Sequence, residues 1–422
     1  MSVWTRGRAF PPTPARALVA AAVLAAWACS DELLPPTPHA VRLEALSPVD
    51  QVGPAGARVN ELPEVRAVDA DGAPVAGVAV TFTASGGSAA EPSRETTGED
   101  GVARVASWLL PQGVGELRAA AEGLDPVIFR AEGKPRTFDL TLRWITEPSM
   151  EGRTAVEAAE AIIESIIWED LPDEELVDTP VCPRSGRGPA ATLDEVVDDV
   201  LILVTIEAID GLGGAGAQGY PCLIRDPGTQ TIVGFVRFDE AEFAAIGPDL
   251  RREFALHEMV HALGFVPGIL NIQTPSGFAR SCLALPSSGP PNQVVQDTHF
   301  SCPHARKAFD LIGGASYTGA KVPLENGATT ALTANTLNHH WRKTSFRNEL
   351  MTGWFTPGVP APLSVVTVGA LEDLDYAVSY AGAEPFLLLG NIETAPSLVP
   401  AGARRLVEPP VVPPAAIHLS RR

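Results

Sequence analysis

The sequence is short of lysine. Only Lys134, Lys307, Lys321 and Lys343 occur among 31 basic residues, and 51 acidic residues leave a formal net charge of −20. A surface of that sign repels phosphate, which excludes nucleic acid as a partner. Long apolar runs are scarce too. After residue 30 no segment approaches the roughly 20 apolar residues of a membrane-spanning helix. Aromatic residues make up 6% and charged residues 19%, but hydrophobic residues reach 45%. That balance is ordinary for globular chains and excludes bulk disorder. Cysteine is confined to Cys29, Cys182, Cys222, Cys282 and Cys302, an odd number. What is plentiful is Gly (38) and Pro (39), which favours strands and loops over a helical bundle. At roughly 100–200 residues per domain, the length predicts two or three domains.

The first 29 residues read as a targeting segment. Arg6, Arg8 and Arg16 precede an apolar run from Ala17 to Ala28, and no acid occurs before Asp31. A basic region followed by a short apolar one is a secretory signal pattern. The run ends Leu24-Ala25-Ala26-Trp27-Ala28-Cys29, which resembles a bacterial lipoprotein lipobox. That resemblance implies lipid on Cys29 and membrane anchorage. Ordinary cleavage after Ala26-Trp27-Ala28 is the alternative and releases a soluble protein. Either way the chain is expected to be exported, to the cell surface or outer membrane as a lipoprotein, or secreted. With Cys29 lipidated, Cys182, Cys222, Cys282 and Cys302 remain, and in an oxidising compartment they read as two disulfides. Sequential pairing, Cys182–Cys222 and Cys282–Cys302, is favoured. A second metal site around His299, Cys302 and His304 competes for Cys302.

Residues 30–39 are Pro-rich and read as a linker. Residues 40–133 carry short alternating runs at Val41–Leu46, Val65–Val68, Val78–Ala84, Val102–Trp108, Gly115–Ala120 and Val127–Ala131, with turn signals at Asp71-Gly72 and Asp100-Gly101. This spacing predicts an all-β sandwich. The stretch from Gly72 to Phe82, with Thr96-Thr97, Asp100-Gly101 and Ala103, resembles the invasin/intimin type of bacterial Ig-like domain. The resemblance implies a spacer or adhesive module; no cluster of acid, His and Cys here could do chemistry.

Residues 137–382 change character. Phe138–Trp144 alternates as a strand with one buried face. Thr154-Ala-Val-Glu157 has the form of a capping box, and Ala155, Ala159, Ile162, Ile163, Ile166 and Ile167 recur at helical spacing to about Trp168. Val200–Ile206 and Ile232–Phe238 read as buried strands. Pro248 and Asp249 then open a helix that runs to Leu263. The order of elements predicts an α+β fold. Residues 383–422 become Pro-rich and read as an extended tail.

The chemistry lies in His257-Glu258-Met259-Val260-His261. Two His at i and i+4 share one helix face, about 6 Å apart along the axis, so both imidazoles can reach one Zn²⁺. Glu258 falls beside the metal, where it can take a proton from the attacking water and deliver it to the leaving amine. With only 8 His in the chain, chance accounts poorly for the pattern. The third ligand is less direct. No Asp or Glu occurs between Ala262 and Gln296. Gly264 stands where a metzincin turns its chain, but Pro267 occupies the position of the usual third His. His299, His304, His339 and His340 are the downstream candidates.

The stretch His257-Glu-Met-Val-His261-Ala-Leu-Gly264-Phe265, a long insertion, His340-Trp341 and Glu349-Leu-Met351-Thr-Gly353 together resemble the leishmanolysin family of metzincins. The likeness continues through Val322–Gly327 and Leu363–Tyr376. It implies a zinc endopeptidase acting on proteins or peptides, with an N-terminal sheet subdomain and a smaller C-terminal one. In that family the third zinc His precedes the Met-turn Met by eleven residues; here 351 − 340 = 11, so His340 fits and His339 becomes a neighbour at the cleft rim. Met351 would lie under the zinc as an apolar floor, and Leu363–Tyr376 would form a helix beneath the site. No Cys lies between Ser30 and Val181, so no propeptide cysteine switch is expected. A different class stays open: a surface adhesin in which the zinc domain is structural and inactive.

Overall fold

A computed structural model describes residues 39–184, 188–284, 298–317, 321–325, 338–356 and 358–388, with two short strands at Arg404–Arg405 and Ile417–His418. The signal segment, Cys29 and nearly all of the linker lie outside the described residues, as does most of the tail. No helix among the described residues is long and apolar enough to cross a membrane.

The N-terminal part is all-β. Three antiparallel strands, Arg42–Ala45, Glu64–Val68 and Val102–Arg104, form one sheet. Five form another, in the order Asp50–Pro54, Val127–Lys134, Gly113–Ala120, Ala79–Ala84 and Arg94–Thr96. Alternation fixes the faces: Val80 and Phe82 point inward while Thr81 and Thr83 do not. Val65, Ala67, Val80, Phe82, Trp108, Leu117 and Phe129 share one core. Two details differ from the sequence reading. The run Val102–Trp108 breaks after Arg104, and its second half pairs instead with Ala89–Glu91. Asp50–Pro54, which lies outside the runs read as strands, is an edge strand parallel to Val127–Lys134. The edge tolerates Pro54, whose ring has no N–H to donate.

The second part is built on a mixed sheet. Strand β1 is Leu140–Trp144, and helix α1 is Met150–Ile166. The capping box expected at Thr154 is not the start of α1. Ser149 caps the helix by accepting from the Gly152 amide, and Thr154 sits inside, its hydroxyl donating to the Met150 carbonyl. A Ser cap is typically worth about 1 kcal/mol. Strands β2 (Glu174–Arg184) and β3 (Gly188–Val197) form a hairpin. Strands β4 (Val200–Glu207), β5 (Ala217–Ile224) and β6 (Thr231–Asp239) join the sheet in the order β1-β4-β6-β5, with the two-residue strand Ile417–His418 beyond β5. β5 runs antiparallel to its neighbour β6, and Ile417–His418 runs parallel to β5.

This sheet is covered on both faces, which explains its continuous apolar runs. Ile202, Val204, Val236 and Phe238 face α1 and helix α2 (Pro248–Ala262). Leu201, Leu203, Val233 and Phe235 face Leu176, Val181 and Leu193 of the hairpin. The Cys182–Cys222 disulfide pins β2 to β5. A second disulfide, Cys282–Cys302, closes part of the insertion, so the pairing is sequential. Helices α3 (Pro303–Leu311) and α4 (Val365–Glu372) pack together in the C-terminal part. α4 is shorter than the Leu363–Tyr376 expected, because the chain leaves the helix after Glu372 and Asp375 takes a positive φ.

Candidate metal centre

Helix α2 begins at Pro248 without a side-chain cap, and Leu250 and then residues 253–262 are buried. Its C-terminus is where the site is made. The Gly264 amide donates to the His261 carbonyl at 2.9 Å, and the Phe265 amide to the Val260 carbonyl at 3.2 Å. That double bond pattern is a Schellman stop, and Gly264 supplies the φ of +116° that it needs. The turn swings the Phe265 carbonyl back over the helix, where the His261 Nδ1–H donates to it at 2.8 Å.

His257 is oriented the same way from elsewhere in the chain. Its Nδ1–H donates to the Leu350 carbonyl at 2.7 Å. A carbonyl oxygen can only accept, so both rings carry their proton on Nδ1 and turn an Nε2 lone pair inward. The His257 and His261 Nε2 atoms lie 3.0 Å apart. The His340 Nε2 lies 3.1 Å from the first and 3.2 Å from the second. All three rings are buried. Two lone pairs at such a distance repel unless a cation lies between them. Three nitrogens each about 2.0–2.1 Å from a tetrahedral ion would be separated by about 3.3 Å, so this donor set fits Zn²⁺.

The segment carrying His340 is stitched in by its neighbours. The Trp341 amide donates to the Met351 carbonyl at 2.8 Å, and the Glu325 amide to the His340 carbonyl at 2.9 Å. Arg342 donates to the Leu324 carbonyl, the Thr298 carbonyl and the Tyr317 hydroxyl at 2.9–3.0 Å. One guanidinium thus gathers three points of the later part of the insertion beside the third His. Glu258 is fully buried on α2, and Met351 is fully buried next to the Leu350 carbonyl. His339 is not at a rim. It is buried, with its ring centroid 5.5 Å from that of His261 and 4.4 Å from that of His340. The alternative site at His299, Cys302 and His304 is excluded, because the Cys302 sulfur is committed to Cys282.

Two residues escape the sequence reading. Gly219 in β5 lies so close to α2 that a Cβ there would fall 2.0 Å from the Glu258 carbonyl oxygen. Its only signal is a Gly inside an apolar stretch, which marks close backbone approach. Glu349 is fully buried and accepts from the Met351 amide, the Ser364 amide and hydroxyl, and the Thr367 hydroxyl. Burial pushes its pKa up to about 7 against these hydrogen bonds. The acid beside Leu350-Met351 was visible, but not the partners that lie 15 and 18 residues further on.

Three buried imidazoles converging beside a helix-borne Glu define a metal-dependent hydrolase site. The model of the leishmanolysin family matches residues 175–395, more than half of the chain, and the chain belongs to that family of zinc metalloendopeptidases. No curated protein matches it. Among solved structures, invasin, a bacterial integrin-binding protein, is 27% identical over 22% of this chain and 19% of that one, with a TM-score of 0.19. The D0–D1 domain of intimin is 22% identical over 21% of this chain and 45% of that one, with a TM-score of 0.16. A β-glucuronidase of Parabacteroides merdae is 16% identical over 23% and 12%, with a TM-score of 0.18. The chain therefore spans less than half the length of each of these structures, and likenesses at such scores carry no argument.

Proposed function

We propose that this chain is an exported zinc endopeptidase whose metal is held by His257, His261 and His340. The observation that carries the reading is the convergence of three Nε2 atoms at 3.0–3.2 Å, two of them fixed as lone-pair donors by backbone carbonyls. Zinc bound there supplies Lewis acidity toward the scissile carbonyl and lowers the pKa of water. The residues do the rest. Glu258, one position from His257 on the same helix, takes the proton of the attacking water and passes it to the leaving amine. Met351 serves as the apolar floor. The Phe265 and Leu350 carbonyls keep the His261 and His257 imidazoles in the tautomer that presents Nε2 to the metal.

Export is supported by the signal pattern and by two disulfides, which persist in oxidising compartments. In this reading residues 1–29 are the signal segment with Cys29 lipidated, 30–39 a linker, 40–133 an invasin/intimin-type Ig-like sandwich, 137–382 the peptidase and 383–422 a tail. Mass spectrometry of the mature N-terminus tests the anchor: an unmodified Cys29 removes it. The structural-zinc adhesin is disfavoured because a closed structural site takes four protein ligands and this one gathers three His. The test is cleavage of casein or a peptide library by the purified chain. The reading expects loss of cleavage with a chelator and recovery with zinc; cleavage indifferent to chelator, or none under any condition, would overturn it.

A further inference from the structure

We propose that Glu349 is a positioning residue of the zinc site, acting through the Leu350 carbonyl and Trp341 rather than on substrate. The inference rests on the zinc-peptidase reading and extends it to a residue outside the ligand set.

Glu349 is fully buried, and no Lys or Arg pairs with it among the described residues. A carboxylate so placed is costly unless its oxygens are satisfied. Here they are satisfied by four donors. Oε2 accepts from the Met351 amide at 2.6 Å. Oε1 accepts from the Thr367 hydroxyl at 2.6 Å, the Ser364 hydroxyl at 2.7 Å and the Ser364 amide at 3.2 Å. A carboxylate oxygen can only accept, so each hydroxyl donates to it and accepts from elsewhere. Ser364 Oγ already accepts from the Val366 amide as the cap of α4, and Thr367 Oγ1 accepts from the Trp341 indole N–H at 2.8 Å. Their hydrogens therefore point at Glu349.

Two consequences reach the metal ligands. The Met351 amide, curled onto the Glu349 side chain, holds the turn whose middle residue is Leu350, and the Leu350 carbonyl is the acceptor that sets the His257 tautomer. The Trp341 indole, held through Thr367, fixes the residue directly after His340, and the Trp341 amide donates to the Met351 carbonyl. One carboxylate thus braces two of the three ligands. A carboxylate that only filled space in the core would need neither link. Groups outside the ligand shell that orient ligands commonly change metal affinity or activity by 10–100-fold when altered.

The experiment uses the full chain with Glu349→Gln. Gln keeps the shape and one acceptor oxygen but turns an amide N–H₂ toward the Met351 N–H. The readouts are circular dichroism, zinc affinity by chelator competition, the visible spectrum of the Co²⁺-substituted protein, and kcat separated from KM. The expected result is a folded protein with zinc affinity lowered roughly 10–100-fold, an altered Co²⁺ spectrum, and a fall in kcat with KM little changed. Wild-type affinity and spectrum in the folded variant would overturn the proposal. If Glu349→Gln does not fold, Thr367→Val removes the Trp341 link while leaving the carboxylate in place. It should weaken zinc several-fold, and unchanged affinity there would overturn the proposal equally. Zinc binding by the unaltered chain separates the two readings: without it the zinc assignment itself fails, whereas intact binding in both parent and variants sinks only the role of Glu349.

Discussion

Asn60, in the N-terminal sheets, holds the backbone at Val378, in the peptidase region. Its amide donates to the Val378 carbonyl at 2.9 Å, and its carbonyl accepts from the Tyr380 amide at 3.2 Å. The segment it grips is itself tied inward. The Ser379 amide donates to the Ile166 carbonyl at the end of α1. Four residues back from Tyr380, the Tyr376 hydroxyl donates to the Leu263 carbonyl at the end of α2. Lys307 and Glu61 add an ion pair at 2.5 Å across the same contact. A cavity of about 450 Å³ flanks it, lined by Leu46, Arg58 and Leu62 on one side and His304, Leu311 and Tyr380 on the other. The sandwich is thus docked on the peptidase through specific hydrogen bonds.

Removing that grip should be felt by the whole chain. Asn60→Ala is expected to lower stability by roughly 1 kcal/mol or somewhat more, since two hydrogen bonds to backbone are lost. Calorimetry of the full chain checks this. Separate melting of the two parts, with the peptidase transition unmoved by the substitution, would contradict docking.

Gly219 sets the distance between β5 and the active-site helix. A methyl group there overlaps the Glu258 carbonyl oxygen, so α2 must shift. Gly219→Ala should cost about 3 kcal/mol and weaken zinc binding together with activity. Urea denaturation and chelator competition measure the two effects. A variant as stable as the parent would show that the helix can move away freely.

The pH dependence of the C-terminal part follows from His304 and Glu372, whose Nδ1 and Oε2 atoms lie 3.0 Å apart. The hydrogen bond to Glu372 raises the His304 pKa above 6.5, with burial and Lys307 working against it. Burial pushes Glu372 up, but hydrogen bonds from His304 and Tyr380 outweigh it and leave the carboxyl below 4.5. A raised imidazole stabilises the fold fully below its unfolded value and loses that contribution as pH rises through the folded one. A lowered carboxylate stabilises above its unfolded value and loses it as pH falls through the folded one. The pair therefore contributes most between about 4.5 and 6.5. Denaturation of the parent and of His304→Gln across a pH series should show the largest difference near pH 5.5, roughly mid-window. A difference that grows into alkaline solution would contradict the assignment.

Much of the scaffold could be read from local pattern. Val200–Ile206 and Ile232–Phe238 are continuous apolar runs because both faces of their sheet are covered. His257 and His261 share a helix face by spacing alone, and the distance to Met351 singles out His340 through the family likeness. The β2–β3 hairpin was not legible, because Asp178, Pro180 and Pro183 interrupt β2 and its packing against Leu203 and Phe235 decides its conformation. β5 is absent from the runs read as strands because Gly219 and Pro221 interrupt its pattern; pairing with β6 makes it a strand. The start of α1 was misplaced because Thr154 mimics a cap that Ser149 supplies. The bracing by Glu349 depends on contacts between segments 15 and 18 residues apart, which no periodicity encodes.

The central claim is that three His hold a zinc ion while Glu258 moves the proton. The most direct test is Glu258→Ala in the full chain, with zinc content and peptide hydrolysis measured on the same sample. The account predicts stoichiometric zinc, as in the parent, and a fall in kcat of roughly 10²–10⁴-fold. Full activity in the variant would contradict the role of Glu258, and loss of zinc along with activity would contradict the assignment of the metal to the three His alone.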